Sequence, residues 1–248
     1  MKTFLADLHI HSCLSPCGQR EMTPRNIVDA ALARGLDLIA ITDHNTAAMT
    51  PAVATVARMC GLAYLYGLEL QTREDVHLLA YFDDEATCLA FSDEIYALLP
   101  DSSVDPFGLG DQVQVDVDET ILRVEPKFLV NGLDLSFRDA VQRIRELGGL
   151  AVPAHIDREF FSVLSQLGEM PEGLSFSLVE ARYEDRHEVC GTSEVLRTSD
   201  AHFLEGIGVR TSLIAVKELT IEELRKAAKG EEGRSIRGQF HSLISAES

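Results

Sequence analysis

Residues 4–18 read FLADLHIHSCLSPCG, and the fold turns on whether the first half of that stretch is a strand. On a strand, side chains at i and i+2 leave one face, so His9 and His11 would meet a single ion; on a helix they would point apart. The apolar residues before them favour the strand. The sequence that follows favours it again. Thr23-Pro24 is an N-cap with a first-turn proline, NIVDAALAR carries helical spacing, and Gly35 stops it. LDLIAIT is then a continuous apolar run of the kind found in buried parallel strands. A second helix runs from Thr50-Pro51 through Met59 to Gly61, and AYLYGLEL is the next strand. This alternation predicts a parallel α/β architecture.

VHLLAYF reads as a further strand and Asp84 to Leu99 as a helix, after which the pattern breaks. Residues 100–135 are rich in Pro, Gly and Asp, and QVQVDVDETILRVE alternates about Asp118-Glu119, so an inserted hairpin is expected there. The alternation resumes with a helix over 136–147, then LAVPAH, FSLVEA and EVLRTSDAH. Thr220 and Glu223 form a capping box on a last helix that ends at Gly230.

The chain has 248 residues, of which 46% are hydrophobic, enough for one large α/β domain. Against 22 Lys+Arg stand 40 Asp+Glu, and a net charge of −18 repels phosphate backbones and anionic membranes, so nucleic acid is not expected as a partner. Five cysteines with no CxxC spacing fit a reducing cytoplasm, and neither a signal-peptide core nor a membrane-spanning run is apparent. The sequence leaves the oligomeric state open.

Six of the eight histidines lie beside the ends of predicted strands: His9, His11, His44, His77, His155 and His202. Asp43, Glu69 and Asp200 share those positions. His77 opens its strand, so either that strand runs against the others or the residue reaches in from a loop. His187 and His241 fall outside the pattern and are read as surface residues. In parallel α/β folds strand ends carry the chemistry, and imidazole mixed with carboxylate suits Zn²⁺, Fe or Mn²⁺. Taken singly, His77 or His155 reads as well as a hydrogen-bonded structural residue. The H-x-H, D-H and D-x-H together point to a metal site too large for one ion. Asp7 and Asp157 are expected in supporting roles. Asp43 would orient a ligand, shuttle a proton or cap its turn, while Gln19, Arg20 and Arg158 are candidate phosphate clamps.

DLHIHS, ITDHN, GLEL, the His77 strand, PAHID and SDAH, in that order, resemble the PHP family, named for polymerase and histidinol phosphatase members. The resemblance implies a single PHP-like domain over 1–248, built as a distorted (β/α)7 barrel with an inserted hairpin region. It also implies two to three divalent transition-metal ions: His9, His11, Glu69 and Asp200 around one, Glu69 bridging to His77 and His155 around a second, and His44 with His202 around a third. Where histidinol phosphatase-like members carry C-P-H-G this chain reads SPCG, which puts Cys17 in the place of a histidine ligand. The implied activity is metal-dependent hydrolysis of a small phosphorylated substrate by a metal-activated hydroxide. The alternatives are a catalytically weak metal-binding regulatory module and a nuclease of the same family.

Overall fold

In the computed structural model, residues 1–182 and 194–240 are described. His187, Cys190 and His241 lie outside them. Strand β1 (Lys2–Ile10) is fully buried over its last five residues, as a central strand requires. Helix α1 (Pro24–Ala33) has Pro24 in its first turn and buries Ile27, Val28 and Ala31, the face set by the sequence spacing. Strand β2 (Leu38–Ile41) pairs parallel with β1. Helix α2 (Thr50–Met59) leads to β3 (Ala63–Tyr64), which pairs parallel with β2.

The expected single strand over AYLYGLEL is two strands. Leu65 separates β3 from β4 (Tyr66–Gln71), and β4 belongs to another sheet, where β5 (His77–Phe82) and β8 (Leu150–Pro153) follow it in the order β4-β5-β8. Here the parallel expectation fails: β5 runs antiparallel to both neighbours. The five residues 72–76 are too few for a helical crossover, so the chain turns back instead. The reversal answers the question His77 posed, because its start lies opposite Gln71 at the end of β4.

Helix α3 (Glu85–Ala97) is capped by Asp84, and α4 (Phe137–Glu146) by Ser136, whose hydroxyl accepts from the Asp139 N–H. Between them lies the expected hairpin, β6 (Val113–Val115) with β7 (Ile121–Val124), turning through Glu119 at φ +64°. After β8, the short helix α5 (Val163–Leu167) precedes β9 (Leu178–Glu180), which pairs parallel with β10 (Glu194–Leu196). Two strands had no sequence-level expectation. They are β11 (Arg210–Val216), antiparallel to β1, and β12 (Ser235–Phe240), antiparallel to β11; they complete the sheet β12-β11-β1-β2-β3. Between them, α6 (Ile221–Ala228) is capped by Thr220, but only half of the expected box forms. The Glu223 carboxylate binds Arg234 and the Lys217 N–H instead of returning to Thr220.

The class is mixed α/β, and among the described residues the ladders do not form one closed barrel. Isolated bridges link His44 with Glu69 and Ile10 with Ala201 across the gaps between sheets. Leu8, Leu38, Leu79, Val152, Leu178 and Leu196 come from three of these sheets and pack into one buried cluster. A second cluster, with Phe82, Phe91, Phe137 and Ile144, lies under α3 and α4.

Candidate metal centre

Each strand around the shared cluster delivers a side chain at one end. β1 ends in His9 and His11; the turn after β2 carries Asp43 and His44; β4 bears Glu69; β5 begins at His77; β8 runs out to His155; and the segment after β10 carries Asp200 and His202. The alternation of the pleat places His9 and His11 on one face, both fully buried.

Glu69 is the hub. Its Oε1 lies 2.9 Å from His77 Nδ1, 3.3 Å from His9 Nε2 and 3.3 Å from His155 Nε2. Its Oε2 lies 3.1 Å from His44 Nδ1 and 3.4 Å from His11 Nε2. Asp200 Oδ1 stands 3.4 Å from both His9 Nε2 and His11 Nε2. Despite this crowding, neither Glu69 oxygen accepts a hydrogen bond of good geometry, and His44 Nδ1, His77 Nε2 and His155 Nδ1 are also buried and unpaired.

The outer nitrogens of the first two histidines explain which way their lone pairs face. His9 Nδ1–H donates to Glu180 Oε1 at 2.9 Å. His11 Nδ1–H donates to Ser15 Oγ at 3.0 Å, and that hydroxyl gives its own proton to Asp43 Oδ1 at 2.6 Å. With each ring neutral, both Nε2 atoms present lone pairs inward, 3.2 Å apart. Lone pairs facing each other and an unpaired carboxylate are unfavourable unless a cation lies between them, so the donor set fits transition-metal ions.

The electrostatics point the same way. Burial pushes the Glu69 carboxyl up, but His77, His9 and His44 around it hold it well below the usual carboxylate range. Asp200 is held well down as well, against its burial, by His9, His11 and His155. Cys17 completes a cluster with His11, His44 and His202. Burial raises its thiol, yet the facing imidazoles of His44 and His202 outweigh that and bring it to about 6. The loop returns Cys17 to the site through a tight turn in which Gly18 N–H donates to Ser15 O, and a Cβ on Gly18 would lie 2.3 Å from the Ser12 carbonyl.

Several expected roles change. Asp43 is buried and accepts from the Ser12 N–H and hydroxyl as well as from Ser15. Ser15 also accepts the His44 N–H, so Asp43 braces His11 and His44 through that one hydroxyl. Arg20 pairs with Asp111 on the exposed surface. Arg158 is at the site, its Nη1 3.0 Å from Asp200 Oδ2. Asp7 and Asp157 are supports, as expected: Asp7 accepts from the Ser199 and Gly208 N–H groups, and Asp157 from the Arg182 N–H.

Glu180 and Arg182 carry no sequence-level role. Glu180 is buried and accepts from His9, from the His155 N–H at 2.7 Å and from the Thr198 hydroxyl. It ends β9, so the strand-end rule that selected the other ligands would also have selected it. Arg182 Nη2 lies 3.4 Å from Asp200 Oδ2. His155 at φ +26° and Asp200 at φ +55° hold left-handed backbone without being glycine, costing about 1–3 kcal/mol each, and strain of that kind gathers at functional sites.

An 84-residue stretch, 32% of this chain, is 37% identical to a 3′,5′-nucleoside bisphosphate phosphatase of Chromobacterium violaceum and covers 28% of that protein. Among solved structures, the lesion-specific endonuclease Q of Pyrococcus furiosus superposes at a TM-score of 0.71 with 20% identity, over 95% of this chain and 58% of that one. Another structure of endonuclease Q holds a 27-mer duplex with an abasic lesion at its active site. A protein of Bifidobacterium adolescentis described as a candidate metal-dependent phosphoesterase superposes at 0.51 with 19% identity, over 79% of this chain and 87% of that one. These structures share the fold, and two of them are of an endonuclease, so the expectation that excludes nucleic acid gains no support. Residues 7–124, which carry the H-x-H strand, the D-H pair, Glu69 and His77, match the model of the PHP domain.

Proposed function

We propose that this chain is a metal-dependent hydrolase of small phosphoesters, folded as one domain on the distorted (β/α)7 barrel plan and working in the cytoplasm. Two to three ions would be held by His9, His11, Glu69 and Asp200, by Glu69, His77 and His155, and by His44, His202 and Cys17. Glu69 carries the reading: a buried, ionised carboxylate with no hydrogen bond, ringed by imidazole nitrogens. When bound there, the ions supply Lewis-acid charge that activates water near neutral pH and offsets charge on phosphoryl oxygens. Glu180 and the Asp43–Ser15 pair fix which nitrogen of His9 and His11 faces inward. Arg158, about a third exposed on the pocket wall, keeps donors beyond the one on Asp200 and orients a phosphoryl group. Similarity to a phosphatase supports a small substrate.

The test is a panel of a phosphomonoester, a phosphodiester, a nucleotide and an abasic duplex, assayed with Mn²⁺, Zn²⁺ and Fe²⁺ beside elemental analysis. More than one ion per chain with metal-dependent phosphate release is expected. Less than one ion per chain after reconstitution would sink the reading, and full loading without turnover would favour the regulatory module. The fold shared with endonuclease Q motivates a second reading, a nuclease, which cleavage of the duplex in preference to the small esters would establish.

Cys17 yields a separate prediction. A thiolate is softer than imidazole and favours Zn²⁺ or Fe²⁺ over Mn²⁺. Cys17→Ala is expected to lose the third ion, and Cys17→His to keep it. With cobalt as probe, the parent should show a sulfur-to-metal charge-transfer band that both variants lack. Equal stoichiometry in Cys17→Ala and the parent would remove Cys17 from the site.

A further inference from the structure

The floor of the pocket is the metal centre, but its upper wall comes from the insertion. The cavity is about 600 Å³, and Pro106, Phe107, Leu109, Val130 and Phe161 supply its apolar side. Phe107 is 72% exposed, an unusual position for a phenyl ring without a partner. It is nevertheless held in place, because the Asp105 carboxylate accepts the Phe107 N–H at 3.0 Å and the Gly110 N–H at 3.1 Å, which closes the loop. Phe161 lines the same pocket, its ring stacked on His77 at 4.7 Å between centroids, with backbone at φ +61°.

The return of the insertion is fastened just as firmly. Asn45 Nδ2 donates to the carbonyls of Leu129 and Asn131, and Gln71 O accepts the Leu133 N–H. That end of the pocket is polar and acidic: Gln71 Nε2 donates to Asp75 Oδ1, with Asn131 beside them. Among the described residues of the wall, Arg158 is the one guanidinium, and it already faces Asp200.

We propose that the 105–109 loop, together with Phe161, Gln71 and Asp75, is the subsite for the alcohol portion of the substrate. It selects phosphoesters whose alcohol carries a flat aromatic ring and no second anion. The inference rests on the phosphoesterase reading of the metal floor. A ring gains contact area against Phe107 and Phe161 that an open chain does not, while a negative group at the far end meets Asp75 with no cation to offset it.

The test compares 2-phenylethyl phosphate with butyl phosphate, whose alcohols leave with similar ease. The parent is expected to favour the phenyl ester by about tenfold or more in kcat/KM, a preference within reach of an apolar pocket. Phe107→Ala should bring that ratio toward one while metal content stays as in the parent. 2-(4-Carboxyphenyl)ethyl phosphate should be poorer than the phenyl ester, and Asp75→Asn should narrow that gap. Calorimetric binding of 3-phenylpropylphosphonate, weaker in Phe107→Ala, reads the subsite without turnover. If no ester is hydrolysed yet this binding difference appears, the subsite stands and the phosphoesterase reading fails. An unchanged preference or unchanged binding in Phe107→Ala would overturn the subsite.

Discussion

Glu69→Gln is expected to strip the centre of metal and turnover together. The substitution keeps the shape of the side chain and removes its charge. Deleting one partner of a buried charged set costs about 3–5 kcal/mol, which corresponds to roughly two to three and a half orders of magnitude in affinity. The loss should fall on more than one ion, because both oxygens of Glu69 are approached by imidazoles from different strands. Elemental analysis after dialysis, with phosphate release measured on the same sample, checks this. A variant that keeps both would show that Glu69 is not shared between ions.

Glu180→Gln is expected to have the next largest effect, although Glu180 is not placed as a ligand. Its carboxylate accepts from the His9 ring, the His155 backbone and the Thr198 hydroxyl at once. An amide offers one oxygen and turns its NH₂ toward a remaining donor, so one of these partners must be left facing hydrogens. Partners of this kind are typically worth about 10–100-fold in metal affinity. Burial raises the Glu180 carboxyl, but His9 more than offsets this and holds it below the usual range, so the anion is the form that holds the ring. The readout that separates positioning from general stability is the imidazole ¹⁵N spectrum. The parent should show His9 protonated at Nδ1, whereas the variant should show a mixture of tautomers. A variant that keeps the Nδ1 tautomer and the parent metal affinity would leave Glu180 with a packing role alone.

Much of this centre was legible before any coordinates, and the reason is local. His9 and His11 on one strand, Asp43-His44 after the next and Asp200 with His202 are short-range patterns, read directly from the two-residue period of a strand. What was hidden depends on long-range pairing. The reversal of β5 is decided by the short turn at 72–76 and by the partners on either side, so the sequence left His77 with two explanations. Strands β11 and β12 flank the last expected helix, and β11 pairs with the first strand, β1, some two hundred positions earlier, a long-range partner that no local pattern announces. Arg20 follows its motif as closely as Arg158 follows its own, yet Arg158 pairs with Asp200 while Arg20 pairs with the exposed Asp111 of the insertion, a difference set by the fold. Asp43 was noticed for its neighbour His44, but its two serine partners come from the β1 loop and are paired with it only by the fold.

The first strand and the last motif are also sewn together at the backbone. The Ser199 N–H donates to Asp7, a partner 192 positions away, and His11 N–H donates to the carbonyl of Ala201. On the proposed ligand set, an ion gripped by His9 and Asp200 acts as a covalent staple would, closing a loop that spans most of the chain. In the chain-entropy account, closure of so long a loop removes roughly 5 kcal/mol of freedom from the unfolded ensemble. On that set, the cation proposed for the chemistry would also shorten the list of conformations open to the unfolded protein, and loading it would make β1 and the Asp200 segment report on one another.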